Sequence, residues 1–339
     1  MINSMLYLDS LNKSLHNILR KNQDVILIGE DLLDPYGGAF KVSKGLSTNF
    51  PRQVISTPIS EAGIVGVATG MAMRGLKPIV ELMFGDFIAL AADQIINHAS
   101  KYNGIYNGQV TVPLVIRTPV GGKRGYGPTH SQSLESMFMS VPGIEIVAPS
   151  LCHNPGEMME KLIRCIQKPT IFVEYKVDYA KKLFGNKIGG FFIEREKVGD
   201  YNQNITLSLY PDEQPDVLVI TYGGNVAIAI EAAEKVFMDD ELLTNVLVLS
   251  SVRPIDEEWI ISKVKKCGRI VIVEEGNKIG GWGSEVASII QEEAFDELKC
   301  PIQRIGAMDI PIPSSGPMET EMLPSREKIA KQIKLISEQ

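Results

Sequence analysis

The sequence predicts an α/β protein of two doubly wound, mostly parallel-sheet lobes. Short β-rich apolar runs alternate with longer helical patterns along most of the chain, the pattern of parallel sheets covered on both faces. That rhythm breaks once, over 176–214, and then resumes. A length of 339 residues is long for one domain and suits two.

Taken in order, the first 22 residues read as an amphipathic helix with Leu11, Leu15, Ile18 and Leu19 on one side. VILIGE (25–30) reads as a buried strand, FKVSKGLSTNF (40–50) as helical and 54–56 as a strand. A helix follows over 60–75, with Ser60 as N-cap and Gly75 as C-terminal stop. PIVELM (78–83) is a strand, and 86–102 a helix with Phe87, Leu90, Gln94 and Ile95 at helical spacing. VPLVIRT (112–118), IEIVAPS and TIFVEY are further strands; 131–140 and PGEMMEKLIRCIQ are further helices. The polar stretch with NQN and PDEQP reads as a connector holding one hairpin, dividing the chain into a lobe at 1–185, a connector at 186–212 and a lobe at 213–339. The second lobe opens with VLVITY (217–222) and a helix over 225–238 whose Val226, Ile230, Ala233 and Phe237 share a face. NVLVLS and RIVIVEE are its next strands, and EEWIISKVKK, WGSEVASIIQEEAF and SREKIAKQIKLIS its next helices.

Composition narrows the class. The formal charge of −7 argues against a general nucleic-acid binder. No apolar run reaches the roughly 18 residues that a membrane helix needs, and the N-terminus lacks the charged-then-apolar order of a signal peptide. Cys152, Cys165, Cys267 and Cys300 are scattered with no C-x-x-C, which suits reduced thiols in a cytosol. The expectation is a cytoplasmic protein without membrane or nucleic-acid partners.

Ligands on parallel sheets bind outside the carboxyl ends of the strands. Glu61 meets that condition, in the first turn of a Gly-rich helix just after 54–56, and is the only acid between Asp34 and Glu81. It reads either as a helix-dipole acid, favoured by roughly 0.3–1 kcal/mol, or as a desolvated carboxylate able to exchange a proton with a ligand nitrogen. His130, in GYGPTHSQS, follows strand 112–118 and a Gly-rich stretch and precedes a helix. It reads as a proton shuttle or as a capping residue. The other histidines, His16, His98 and His153, read as structural. Met83 and Phe87 flank the turn after 78–83, where they would pack on a flat heterocycle or in the core. Lys123 and Arg124 read as solvated loop charges or as a contact for an anion or partner. There is no G-x-G-x-x-G and no phosphate-binding G-x-x-x-x-G-K; GGWGSEV (280–286) resembles an anion-binding turn, and close helix–sheet packing explains its glycines equally well.

The segments STPISEAG, ELMFGDF and THSQS, in this order and at these separations, carry a resemblance. With ILIGEDLLDPYGGAFKVSKGL, DQIINHASK, VPLVIRTP, VPGIEIVAPS, VLVITYGG, VRPID and LPSREKI, they cover essentially the whole chain. The set resembles the β subunits of the thiamine-diphosphate-dependent decarboxylating component of 2-oxo acid dehydrogenases, of the pyruvate, branched-chain 2-oxo acid or acetoin type. The resemblance implies a pyrimidine-binding transketolase-like domain at 1–185 and a transketolase C-terminal-type domain at 213–339. It implies that Glu61 is catalytic and contacts a ring nitrogen of the aminopyrimidine, that Met83 and Phe87 pack on that ring, and that His130 is catalytic and faces the substrate. The family holds the diphosphate and Mg²⁺ on a separate α subunit through a GDG motif and paired asparagines, and this chain has neither. The implied assembly is an α₂β₂ heterotetramer that serves a lipoyl acyltransferase core and acts on a 2-oxo acid or acetoin. The competing readings are the carboxyl-terminal part of a split transketolase-like enzyme and an idle assembly scaffold of the same fold.

Three segments depart from the family. Where some members bind K⁺ through an acidic loop, CIQKPT is short and puts Lys168 near the expected acid, which argues against a cation site and leaves the ammonium able to stand in for it. Lys123 and Arg124 make their loop unusually basic, and SLCHNPGEMM alters the opening of the next helix.

Overall fold

A computed structural model describes residues 5–339. The first lobe runs through α1 (Tyr7–Lys21), β1 (Val25–Glu30), α2 (Leu46–Asn49), β2 (Val54–Thr57), α3 (Glu61–Met73), β3 (Lys77–Glu81), α4 (Tyr102–Ile105), β4 (Val115–Val120), β5 (Glu145–Val147), α5 (Pro155–Cys165) and β6 (Thr170–Tyr175). There follow β7 (Lys187–Ile188), β8 (Phe191–Val198), β9 (Asn202–Ser208), β10 (Val217–Tyr222), α6 (Val226–Asp240), β11 (Thr244–Leu249), β12 (Ser251–Arg253), α7 (Glu257–Cys267), β13 (Ile270–Asn277), α8 (Trp282–Ala294), β14 (Gln303–Ala307), α9 (Gly316–Met322) and α10 (Arg326–Ser337).

Two seven-stranded sheets result, ordered β12-β5-β6-β4-β3-β1-β2 and β14-β13-β10-β11-β9-β8-β7. Strands β1 to β6 are parallel in the first, as are β14, β13, β10 and β11 in the second. The sequences of β4, β6 and β10 are buried along their whole length, as strands covered on both faces must be. Alternate residues divide between the two faces. Val25, Leu27, Ile79, Val115 and Phe172 pack with α1 and α5, while Ile28, Val80, Ile116 and Val173 face α3. The second of these clusters continues into Leu218, Ile220, Leu247 and Ile272 of the other sheet, so one apolar layer is shared by both lobes.

Local rules account for most helix ends. On α1, Leu11, Leu15, Ile18 and Leu19 are buried as the spacing predicts. The Ser60 hydroxyl caps α3 by accepting from the Gly63 N–H at 3.3 Å, and Gly75 leaves the helix with φ 91°. Asn154 caps α5 through the Glu157 N–H at 3.1 Å, with Pro155 in the first turn.

Three helix expectations need correction. Residues 40–50 are mostly turns, with only α2 helical, because Lys41 (φ 66°) and Gly45 (φ 82°) reverse the backbone. Asp34 organises that loop instead, accepting from the N–H groups of Gly45 at 2.7 Å and Thr48 at 3.0 Å. Residues 86–102 wind as a 3-10 segment (Gly85–Ala91), a π-helical segment (Gln94–Ala99) and α4. That change of pitch aligns Ile88, Ala91, Ile95 and Ala99 on the core, leaving Phe87 half-buried and Leu90 62% exposed. Residues 131–140 hold only a 3-10 turn, Glu135–Phe138, because side chains of other elements claim their backbone and carboxyl groups.

The hairpin expected within the connector is β8–β9, and β9 pairs antiparallel with β11, so it extends the second sheet. Strands β12 and β14 and helix α9 were not expected. Strand β12 leaves the second lobe to pair antiparallel with β5, closing an edge of the first sheet. Among the described residues, no helix is long and apolar enough to cross a membrane.

Candidate active site

In the first sheet β2, β1, β3 and β4 are neighbours and parallel, so their carboxyl ends share one edge. Glu30 ends β1. Glu61 opens α3 after β2, Met83 and Phe87 follow β3, and the loop to His130 follows β4. The four residues singled out by sequence thus issue from one rim of one sheet.

Glu61 is 6% exposed, and no donor among the described residues bonds its carboxyl group. It is isolated in sequence only. Glu30, also buried, has an unpartnered Oε1 and lies within reach of the Glu61 charge. Burial first, then the Glu61 charge, push the Glu30 carboxyl above its ordinary pKa, against a backbone hydrogen bond from Ser60.

Phe87 and His130 meet, with ring centroids 5.2 Å apart. Phe84, which sequence reasoning passed over within ELMFGDF, lies closer still, at 4.6 Å and edge-on to the imidazole. Phe84 also meets Phe40 at 5.4 Å and Tyr126 at 6.0 Å, which makes an aromatic wall around the histidine. Met83 is half-buried on the same turn. The His130 Nδ1 is engaged with the Thr129 hydroxyl at 2.9 Å, which leaves Nε2 free to hold or give a proton.

The motifs ELMFGDF and THSQS are joined physically. Asp86 Oδ1 accepts from the Gln132 backbone N–H at 3.2 Å and from its Nε2 at 2.8 Å. Beneath them Arg117 on β4 donates to Glu81 on β3 at 2.7 Å and to both Glu174 oxygens on β6 at 2.7 and 2.9 Å. No motif signalled this ion group; only strand order reveals it. Arg124 is exposed and donates to the Lys176 carbonyl at 3.2 Å, while Lys123 is half-buried. Lys168 pairs with Glu145 at 2.8 Å, and the Tyr201 hydroxyl donates to the same carboxylate. The GGWGSEV turn is filled from within: Glu274 Oε1 accepts from the Gly283 N–H at 3.0 Å, so a protein carboxylate occupies the anion position.

Comparison with known proteins bears on the family of the whole chain. Residues 3–182 match the transketolase pyrimidine binding domain and 209–329 the transketolase C-terminal domain. The chain is 34% identical to a pyruvate dehydrogenase E1 component subunit beta of Rickettsia conorii, over 97% of each chain. It is equally 34% identical to the acetoin:2,6-dichlorophenolindophenol oxidoreductase subunit beta of Bacillus subtilis, over 95% of this chain and 94% of that one. It is also 34% identical to the 2-oxoisovalerate dehydrogenase subunit beta of Pseudomonas aeruginosa, over 92% and 89%. A solved split-gene transketolase, described as an inactive beta4 tetramer, shares the fold with a TM-score of 0.74 over 98% of each chain at 20% identity. Full-length likeness, two matched domains and a shared architecture lead to one conclusion: the chain belongs to the transketolase-type family of E1 β subunits of pyruvate, branched-chain 2-oxo acid and acetoin dehydrogenases.

Proposed function

We propose that this chain is the β subunit of a thiamine-diphosphate-dependent 2-oxo acid or acetoin dehydrogenase, and that it works only with a separate α subunit. The observation that carries the reading is the buried Glu61 carboxyl, which has no donor among the described residues and lies on the same rim as a cluster of aromatic rings around His130. These residues fit an aminopyrimidine. A carboxyl without a partner suits a ring nitrogen, and Met83 and Phe87 suit a flat ring face. Bound there, thiamine diphosphate would supply the carbanion chemistry that protein side chains lack.

The chain's own residues then have distinct tasks. Glu61 holds and exchanges a proton at the ring nitrogen, with Glu30 beside it as a second proton-holding carboxyl. Phe84 and Phe87 wall one side of the imidazole. His130 presents Nε2 to the reacting group and gives or takes its proton, a contribution typically worth about 10²–10⁴ in rate. In this reading the α subunit grips the diphosphate and Mg²⁺, the assembly is an α₂β₂ heterotetramer in the cytoplasm, and a lipoyl acyltransferase core receives the acyl group. The four unpaired cysteines are in keeping with that compartment. Relatives at 34% identity along nearly the whole chain favour this reading over a split transketolase, which rests on fold alone.

The test is co-purification with the α partner and assay on a panel of 2-oxo acids and acetoin with an artificial electron acceptor. Glu61→Gln should lower turnover by about 10² or more while circular dichroism stays unchanged. Full turnover in that variant would sink the assignment.

A further inference from the structure

The loop that carries His130 is held from the opposite lobe. Gly121, Lys123, Gly125 and Gly127 have φ of 93°, 66°, 69° and 78°, and the residues between them lie in ordinary regions. Alternation of this kind turns successive backbone N–H groups toward a common side, the geometry of an anion-binding nest. The nest is filled by the protein itself. Glu319, on α9 of the second lobe and 1% exposed, accepts from the Lys123 N–H through Oε1 at 2.8 Å and from the Gly125 N–H through Oε2 at 3.0 Å. Glu275, on β13 and 2% exposed, accepts from the Gly122 N–H at 2.7 Å. Asp86, 8% exposed, holds the far end of the loop through Gln132. The fit leaves no room for side chains: a Cβ at Gly122 would lie 2.8 Å from Glu319 Oε1, and one at Gly121 would lie 2.8 Å from Glu275 Oε1.

Carboxyl groups buried this deeply require a counter-charge. Lys176, immediately after β6, is 0% exposed, and among the described residues its Nζ has one hydrogen-bond acceptor, the Pro119 carbonyl at 3.5 Å. It also lies 5.5 Å from the centroid of the Phe84 ring that touches His130. Burial pushes its pKa down to about 8, while Asp86, Glu275 and Glu319 pull it back up and Arg124 pushes it down. The three carboxyl groups that hold the loop are therefore also the three whose negative charge acts on this ammonium.

We propose that Glu319 is a positioning residue for His130: acting with Glu275 and Asp86, and balanced by the buried ammonium of Lys176, it holds residues 121–132 from across the lobe boundary. The catalytic part of this rests on the reading of His130 given above; the clamp itself does not. Glu319→Gln keeps the size of the side chain but replaces one acceptor with an NH₂ group that opposes a backbone N–H. Lys176→Met keeps the stem and removes the charge.

Amide hydrogen exchange on the full chain tests the clamp without any assay. Peptides covering 121–127 should exchange about tenfold faster or more in Glu319→Gln, and those covering 121–132 should do so in Lys176→Met, with β10 and β13 still protected. The double variant should exchange little faster than either single one, because it removes a charge together with its counter-charge. In enzyme assembled with its α partner, Glu319→Gln should lower kcat about tenfold and leave KM within about twofold, as a displaced proton-transfer group would. Unaltered exchange over 121–127 in both single variants would overturn the proposal. So would exchange that rises equally throughout the second lobe, since Glu319 would then serve only to pack α9. If His130→Ala keeps full turnover while the loop still responds, the clamp stands and the catalytic reading of His130 fails.

Discussion

At His153 the Ser150 backbone N–H donates to Nδ1 at 3.0 Å, so Nε2 carries the proton and donates to the Gln203 carbonyl at 3.1 Å. Burial, with a smaller push from Arg195, lowers its pKa to about 4 against the lift of the Gln203 bond. The unfolded chain therefore binds this proton first. The stabilisation is complete above about pH 6.5 and is lost as pH falls toward 4. Glu274 and Asp178, pushed by burial up to about 7 and about 6, act in the opposite sense over the same range. The informative quantity is thus the stability gap between wild type and His153→Asn, which should narrow by roughly 2–3 kcal/mol from pH 7 to pH 4.5 in denaturant titrations. A gap that stays constant would show that His153 does not titrate in this way. The sequence marked His153 as structural and placed Glu61 and His130 at strand ends, because those inferences need only neighbouring residues. It missed Glu30 and Phe84, whose roles depend on which strand lies beside which.

Among elements, the strands and capped helices were the legible part. Strands read as short apolar runs such as β4, β6 and β10, burial recurs near 3.6 in α1 and α6, and caps such as Ser60 and Asn154 act within a single turn. Segments 40–50, 86–102 and 131–140 departed because distant groups, not local periodicity, shape them. Three adjacent strands also share the Arg117 ion group, in which Tyr179 donates to Glu174 at 2.7 Å and Ser43 to Glu81. Burial alone would lower the Arg117 pKa; Glu174 first and Glu81 next raise it above its ordinary value. Arg117→Met would strand two buried carboxylates, so we expect a loss of about 3–5 kcal/mol, read as a fall in the thermal midpoint. Replacing Arg117, Glu81 and Glu174 together by apolar residues should cost less than the single change. A milder effect for the single variant would show that water reaches the site.

For the molecule as a whole, the two sheets act as one body. Their facing sides share an apolar cluster, β12 crosses to the first sheet, and Glu135 accepts from Tyr175 of one lobe at 3.0 Å and Tyr222 of the other at 2.8 Å. Gly223 and Gly224 let the backbone of the second lobe close against the Tyr175 ring. The rim residues still make only the ring-binding side of the proposed cofactor site. The purified chain alone should therefore bind thiamine diphosphate weakly, with an affinity gain of at least about tenfold when the α partner is added, as measured by calorimetry. Micromolar binding by the lone chain would overturn the reading that an α subunit holds the diphosphate.

By itself the sequence determined the α/β class, most of the strands and capped helices, and the strand-end position of Glu61, Met83, Phe87 and His130. Each of these follows from periodicity or from chemistry within one turn of backbone. Only the tertiary structure decided that Glu30 stands beside Glu61, that Asp86 holds Gln132, and that Glu319 reaches Lys123 and Gly125 across the lobes. Those pairings join residues far apart in sequence, and they exist only because parallel strands bring their carboxyl ends to a common edge and a buried carboxyl group must find its donors wherever the fold supplies them.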